Sequence, residues 1–203
     1  PDVIVGGWRN AGQSGRAWLF KGSAVSPWLS PTPDSSISSG QSNGLLGFFA
    51  GTAGDVNGDG RSDAYVTHLR FDNPELDEGT LYVFYGQPQE TPLHVPLAIQ
   101  TSSLTGTTGS SFATALTTAG DANGDGFSDL LVGSPGFQGA FANEGRVALY
   151  RAKSDGTGLE NASIWSFSGG QTDARLGTSV TFAGDVNNDG FTDVLVGAPG
   201  FAT

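Results

Sequence analysis

A nine-residue acidic stretch recurs three times at near-constant spacing, and that recurrence constrains the fold more than any other feature of the chain. The copies are "GDVNGDGRSDAYV" from Gly54, "GDANGDGFSDLLVGSPGF" from Gly120 and "GDVNNDGFTDVLVGAPGF" from Gly184. Asp55 and Asp121 lie 66 residues apart, and Asp121 and Asp185 lie 64 apart. Other features keep the same beat. "EGTLYVFYG" (78–86) matches "EGRVALYRA" (144–152), and "SGRAWLFKG" (14–22) falls about one period earlier. Upstream, Leu46-Gly47, Phe112-Ala113 and Leu176-Gly177 each place their second residue eight before the loop's first Asp. The opening "PDVIVGG" matches "SDLLVGS" and "TDVLVGA", which makes Asp2 the last residue of a fourth loop. The 203 residues therefore read as about three periods cut in mid-repeat at both ends, with repeats near 2–62, 63–128 and 129–192 and 193–203 opening a further one. Such a chain folds as a series of like units, each burying its apolar faces against its neighbours.

Within one period the pattern is β throughout. "LLVG", "RVALY", "SIWSF" and "LGTSVTF" are short, rich in β-branched and aromatic residues, and separated by Gly, Pro, Ser and Asn. No window sustains a 3.6-residue apolar period, so helices are not expected. Four short antiparallel strands per unit of roughly 65 residues predict an all-β chain of propeller blades with long loops. A long antiparallel sandwich is the plainer alternative. Small residues before each loop (Gly47, Ala113, Ala115, Gly177, Ser179) suit an innermost strand, where backbones approach closely. The run after the loop, "DLLVG", is apolar on successive residues, as in a strand buried on both faces.

Charge is scarce, yet nine of the 20 acidic residues sit in the three loops. The formal charge of −11 is thus local, and local negative charge asks first for a cation. The spacing D-x-N-x-D-G-x-x-D offers oxygen ligands at positions 1, 3, 5 and 9, and a backbone carbonyl at position 7. The sets are Asp55, Asn57, Asp59, Arg61 carbonyl and Asp63; Asp121, Asn123, Asp125, Phe127 carbonyl and Asp129; and Asp185, Asn187, Asp189, Phe191 carbonyl and Asp193. Oxygen-only donors suit Ca²⁺, and about three such sites are expected. Mg²⁺ fits less well, because it retains waters in a strict octahedron. With no His or Cys in any loop, zinc is disfavoured. Polar hairpin turns need Asn or Gly, but not three Asp repelling one another at short range. An EF-hand would carry Glu at position 12, where Val66, Val132 and Val196 stand instead. A dockerin would lead the loop into a helix, whereas these loops lead into strands.

These residues together, F/L-G, then G-D-x-N-x-D-G-x-x-D, then "VGAP" or "VGSP", resemble the FG-GAP repeat of the integrin α-chain β-propeller, and the resemblance covers essentially the whole chain. Two departures stand out: "VTHL" (66–69) in place of V-G-A-P, and Phe112-Ala113 in place of F-G. The resemblance implies a seven-bladed ring, Ca²⁺ in the hairpin between the first two strands of a blade, and surface or secreted proteins that bind protein, matrix or sugar. It also implies that partners meet the face opposite the metal loops. Here that face is made by 7–15, 68–79 and 134–145, with Trp8, Arg9, Arg70, Phe71, Phe137 and Phe141 as contact candidates. Each of these aromatics could instead pack between blades. Three blades do not close a ring of 4–8, so further blades or self-association are expected.

Catalysis is not expected. The chain has no Cys, and its two histidines, His68 and His94, lie in separate regions. A lectin-like propeller, or a targeting module of a larger secreted enzyme, is the alternative. Trp8, Trp18, Trp28 and Trp165 share no repeat phase, which argues against a sugar platform in every blade. Nine Lys and Arg in no cluster disfavour nucleic acid, and no apolar run approaches a membrane span. "NAS" (161–163) is a glycosylation acceptor of a kind common by chance, and Arg61-Ser62-Asp63 belongs to a cation loop rather than to an adhesive tripeptide.

Overall fold

The computed structural model describes residues 2–9, 14–24, 27–72, 76–86, 109–189 and 192–202. Among them the chain is all-β. Its strands are β1 (Val3–Gly7), β2 (Arg16–Phe20), β3 (Ser35–Ser38), β4 (Leu46–Gly54), β5 (Asp63–His68), β6 (Thr80–Phe84), β7 (Ala115–Gly120), β8 (Asp129–Ser134), β9 (Arg146–Tyr150), β10 (Trp165–Ser168), β11 (Ser179–Gly184) and β12 (Asp193–Gly197). They form four antiparallel sheets in the orders β1-β2-β3, β4-β5-β6, β10-β9-β8-β7 and β11-β12. The β7–β10 sheet is a full four-stranded blade, and the other three are portions of the same unit. The stretch in repeat phase with β10 after β6 falls within 87–108, outside the described residues. No helix among the described residues is long and apolar enough to cross a membrane.

Each acidic loop joins the first and second strands of a sheet, and each entry to it is built alike. Pairing runs Thr52↔Ala64 and then slips to Gly54↔Asp63. The same slip occurs at Thr118↔Leu130 to Gly120↔Asp129, and at Phe182↔Val194 to Gly184↔Asp193. The bulge glycines Gly54, Gly120 and Gly184 have φ of 76°, 61° and 75°, a left-handed conformation that a side chain resists. The bulge turns the chain out of the ladder and into the loop.

The core lies between successive sheets rather than inside any one of them. Ala17, Leu46, Val66 and Phe84 pack where the first sheet meets the second, with Ile4 and Ile37 against them. Leu81, Val83, Phe112, Leu130, Val132, Ala148 and Tyr150 fill the joint between the second and third. Ala119, Leu131, Val147 and Leu176 fill the joint to the fourth, with Val180 and Val196 against them. Side chains alternate across a strand. Leu130 and Val132 of β8 therefore face one joint while Leu131 faces the other, and all six residues of β8 are buried. This is the two-sided burial expected of "DLLVG". The first strands gather along one side, with β4 against β7 and β7 against β11.

The small residues before the loops mark where consecutive sheets come closest. A Cβ on Gly6 of β1 would overlap the carbonyl oxygen of Gly47, and one on Gly133 of β8 would overlap that of Gly177. Thr67 and Ala113 hold the corresponding repeat positions at the middle joint, so both departures from the repeat pattern fall at one joint. The series of sheets is open. In β12 the apolar run is much the same as in β8, yet Leu195 is 66% exposed, because no sheet among the described residues covers that face.

Candidate metal centre

In the first loop the carboxylates wrap the backbone around themselves. Asp55 accepts the N–H of Asp59 on Oδ1 (3.0 Å) and of Gly60 on Oδ2 (2.8 Å). Asn57 Oδ1 accepts the Asp59 N–H at 3.2 Å, and Asp59 Oδ1 accepts the Arg61 N–H at 2.9 Å. The second loop repeats this. Asp121 takes the N–H groups of Gly124 (2.7 Å), Asp125 (2.9 Å) and Gly126 (2.8 Å), and Asp125 takes that of Phe127 (3.0 Å). In the third, Asp185 and Asn187 each accept the Asp189 N–H at 3.0 Å. Positions 1, 3 and 5 thus sit at one tight turn in each loop, held by the amides that short Asx side chains attract.

Position 9 is different, because it is an anchor as well as an acid. Asp63 Oδ2 accepts the Val56 N–H and Oδ1 the Gly86 N–H, both at 2.8 Å. Asp129 does the same with Ala122 (3.0 Å) and Ala152 (2.9 Å), and Asp193 accepts the Val186 N–H at 2.8 Å. Asp2 accepts the Gly22 N–H at 2.9 Å, which repeats the Gly86 and Ala152 contact and supports its reading as the end of a fourth loop. Asp63 and Asp129 are buried at 2% and 0% exposure. Burial lifts the Asp63 carboxyl to about 6; the Gly86 and Val56 N–H groups pull it down, while the charges of Asp59 and Asp55 push it further up. Asp129 is raised for the same reasons, burial first, then against its two N–H donors, with Asp125 and Asp121 adding.

A hard cation fits this donor set. A buried carboxylate flanked by two more is short of positive charge, and apart from Arg61, which pairs with Asp59, no basic residue lies in any loop. As they stand, the side chains turn toward backbone amides, and among the described residues no three His, Cys, Asp or Glu side chains converge on one point. Asp55, Asn57, Asp59 and Asp63 of the first loop, and their counterparts in the other two, would hold the ion by drawing in around it. Of the position 7 residues, Arg61 pairs with Asp59 at 3.3 Å, and Phe127 lies against Gly58 of the neighbouring loop. Phe191 lies outside the described residues, as does His94.

At the other end of the strands the contact candidates divide. Arg9 stacks over Trp8 at 4.2 Å, Trp8 meets Phe48 at 5.3 Å, and Phe48 meets Phe49 at 4.9 Å. Phe48 and Phe49 remain 36% and 38% exposed. The sequence reading did not pick out these two; the adjacent Phe-Phe pair on an otherwise small-residue strand was the available signal. Arg70 reaches Asp77 at 3.9 Å, and Phe71 lies 5.1 Å from the buried His68 ring. Phe137 packs under Arg146 at 5.2 Å, whereas Phe141 is 44% exposed. Only Trp8 and Arg9 of the six join one cluster.

A family model for the FG-GAP-like repeat matches residues 121–196, which run from the second acidic loop through the third and into β12. Integrin alpha-IIb of Mus musculus is 32% identical over 152 residues, covering 72% of this chain and 14% of that protein. Integrin alpha-PS3 of Drosophila melanogaster is 28% identical over 201 residues, or 92% of this chain and 16% of its own length. This is an FG-GAP repeat chain. Integrin alpha-4 of Xenopus laevis is 44% identical over a shorter stretch of 92 residues, 45% of this chain and 8% of that protein. The FG-GAP chain thus spans less than a fifth of the length of the curated relatives it matches. Its antiparallel sheets are consistent with the blades of an integrin-like propeller.

Proposed function

We propose that this FG-GAP segment is a calcium-stabilised binding module of the integrin type, displayed outside the cell or at its surface, and not a catalyst. The observation that carries the reading is the repetition of one loop architecture. Three bulged hairpins present the same Asp, Asn and Asp turn beside an anchored ninth Asp. The ions would be structural, replacing packing that a Gly-rich turn lacks. An extracellular-type affinity would leave such loops filled at millimolar Ca²⁺ and largely empty in cytosol. The ligands would be the position 1, 3, 5 and 9 side chains of each loop with the position 7 carbonyls of Arg61, Phe127 and Phe191.

Partner recognition belongs to the strand ends away from these loops, where Trp8, Arg9, Phe48 and Phe49 form an exposed aromatic and cationic cluster. Aromatic and Arg side chains are the usual anchors of protein contacts. The partner is a protein, and the segment acts as one portion, 1–203, of a propeller that further blades or further copies complete. Titration calorimetry with Ca²⁺ tests the metal reading: about three ions per chain are expected, and no heat of binding in a folded sample would overturn it. Glycan-array binding lost on Trp8→Ala and Phe48→Ala would replace the protein partner with a sugar.

A further inference from the structure

We propose that Ser128 is a positioning residue that ties the Asp55 loop to the Asp121 loop, so that the two take up Ca²⁺ as a coupled pair rather than independently. The inference rests on the calcium reading above and goes one step beyond it.

Ser128 stands at position 8 of its own loop, between Phe127 and Asp129, two of the groups assigned to that loop's ion. Its side chain and backbone both point out of that loop and into the neighbouring one. Ser128 Oγ accepts the N–H of Asp55 at 3.0 Å, and the Ser128 N–H donates to the Asp55 carbonyl at 2.7 Å. The peptide groups on either side of Asp55 are therefore held from 73 residues away. Asp55 is the residue whose carboxylate gathers the amides of the first loop. Two more contacts complete the joint. The Phe127 ring lies against Gly58, where a Cβ would strike it, and Gly156 in the turn after β9 meets the Asn57 carbonyl. Gly54 leaves room for the Ser128 side chain, since a Cβ there would overlap its oxygen. Positions 1, 3 and 4 of the first loop thus rest on the second sheet's neighbour.

When the second loop closes on an ion, the Phe127 carbonyl is drawn in beside the already anchored Asp129, and Ser128 between them is fixed. Asp55 is then held in place before its own ion arrives, and less ordering entropy remains to be lost. Linkage makes the effect mutual, so filling the first loop favours the second equally. A coupling of roughly five- to ten-fold in affinity is expected, at the modest end of what site-to-site coupling reaches. Position 8 carries a hydroxyl in every copy, Ser62, Ser128 and Thr192, although no ligand role needs one there.

The test is Ca²⁺ titration calorimetry on the full chain with the third loop silenced by Asp189→Ala, and far-ultraviolet circular dichroism as the check on folding. Two ions should bind with a Hill coefficient above one. Ser128→Ala should still bind two, with the Hill coefficient falling toward one and the mean affinity dropping several-fold, and Ser128→Thr should restore both. Should Ser128→Ala fail to fold, Asp125→Asn, which weakens only the second loop, should lower the affinity of the first by a similar factor. Two independent sites unaffected by these changes would overturn the coupling and leave the calcium reading standing. Absence of any binding would overturn both.

Discussion

The ninth Asp of each loop shows how one side chain can serve two ends. Asp129 has no exposure and satisfies two backbone N–H groups from different segments, one of them 23 residues away. Replacing it with Asn turns one acceptor into a donor facing an N–H, which leaves a buried amide unpaired. Asp129→Asn should therefore lower stability by about 1–3 kcal/mol even in the absence of Ca²⁺, measured by urea unfolding in chelator. Asp125→Asn, on the exposed part of the same loop, should cost little without Ca²⁺ and reveal itself only when the ion is present. Histidine 68 is a second residue whose burial has a price. Burial holds its imidazole down to about 4, opposed by the charge of Asp72, while Nε2 faces Ser39 Oγ at 3.0 Å and Nδ1 has no hydrogen-bond partner among the described residues. The folded state thus keeps His68 neutral where the unfolded chain, with an ordinary value near 6.5, takes up a proton. Its contribution to stability is complete above about 6.5 and is lost as pH falls toward 4, at up to ~1.4 kcal/mol per pH unit. His68→Ser, matching Ser134 one period on, should flatten that part of a pH series of unfolding curves.

At the scale of elements, the joints between sheets carry the strictest packing demand. Gly133 on β8 faces the Gly177 carbonyl so closely that no Cβ fits, and β8 is buried on both faces. Gly133→Ala must push the fourth sheet away from the third, at a cost of roughly 1–3 kcal/mol read as a lowered Tm. Gly40 has nothing within 4 Å of where a Cβ would stand, so Gly40→Ala is the matched control and should leave the melt nearly unchanged. The sequence made the strands themselves legible, because apolar β-branched runs alternate with Gly, Asn and Pro turns. It also carried the loop boundaries, through the Asp, Asn and Gly spacing. The bulge that launches each loop was not legible. Gly54, Gly120 and Gly184 were only the first residues of the repeated stretch, and the register slip beside them gives the physical reason for their left-handed φ. The cross-loop bond from Ser128 was hidden for a related reason: it joins residues one full period apart, and a repeat pattern says which positions are alike without saying which ones touch.

For the whole molecule, calcium and burial are expected to act together. With an affinity near ~10⁻⁴ M and ~1 mM free Ca²⁺, each filled loop adds about 1.4 kcal/mol, so three loops add about 4 kcal/mol before any coupling between them. For a chain of this size that corresponds to a Tm lowered by roughly 10 °C in EDTA, measured by differential scanning calorimetry. An unchanged melt would count against structural calcium. Open faces set a second expectation. Leu195 of β12 is 66% exposed, although Leu131, the same position one period earlier, is 1% exposed. The segment taken alone should therefore self-associate through the uncovered side of β12 that carries Leu195, and a well-folded monomer by light scattering at micromolar concentration would refute it. The sequence by itself determined the repeat, the all-β blades and the oxygen-donor spacing of the loops, because period, alternation and donor spacing are local properties of a chain. Only the tertiary structure decided which of the three second strands is fully buried, which glycines touch, and which loop leans on which. Those outcomes depend on the neighbour that each unit packs against, and identical repeats carry no mark of their neighbours.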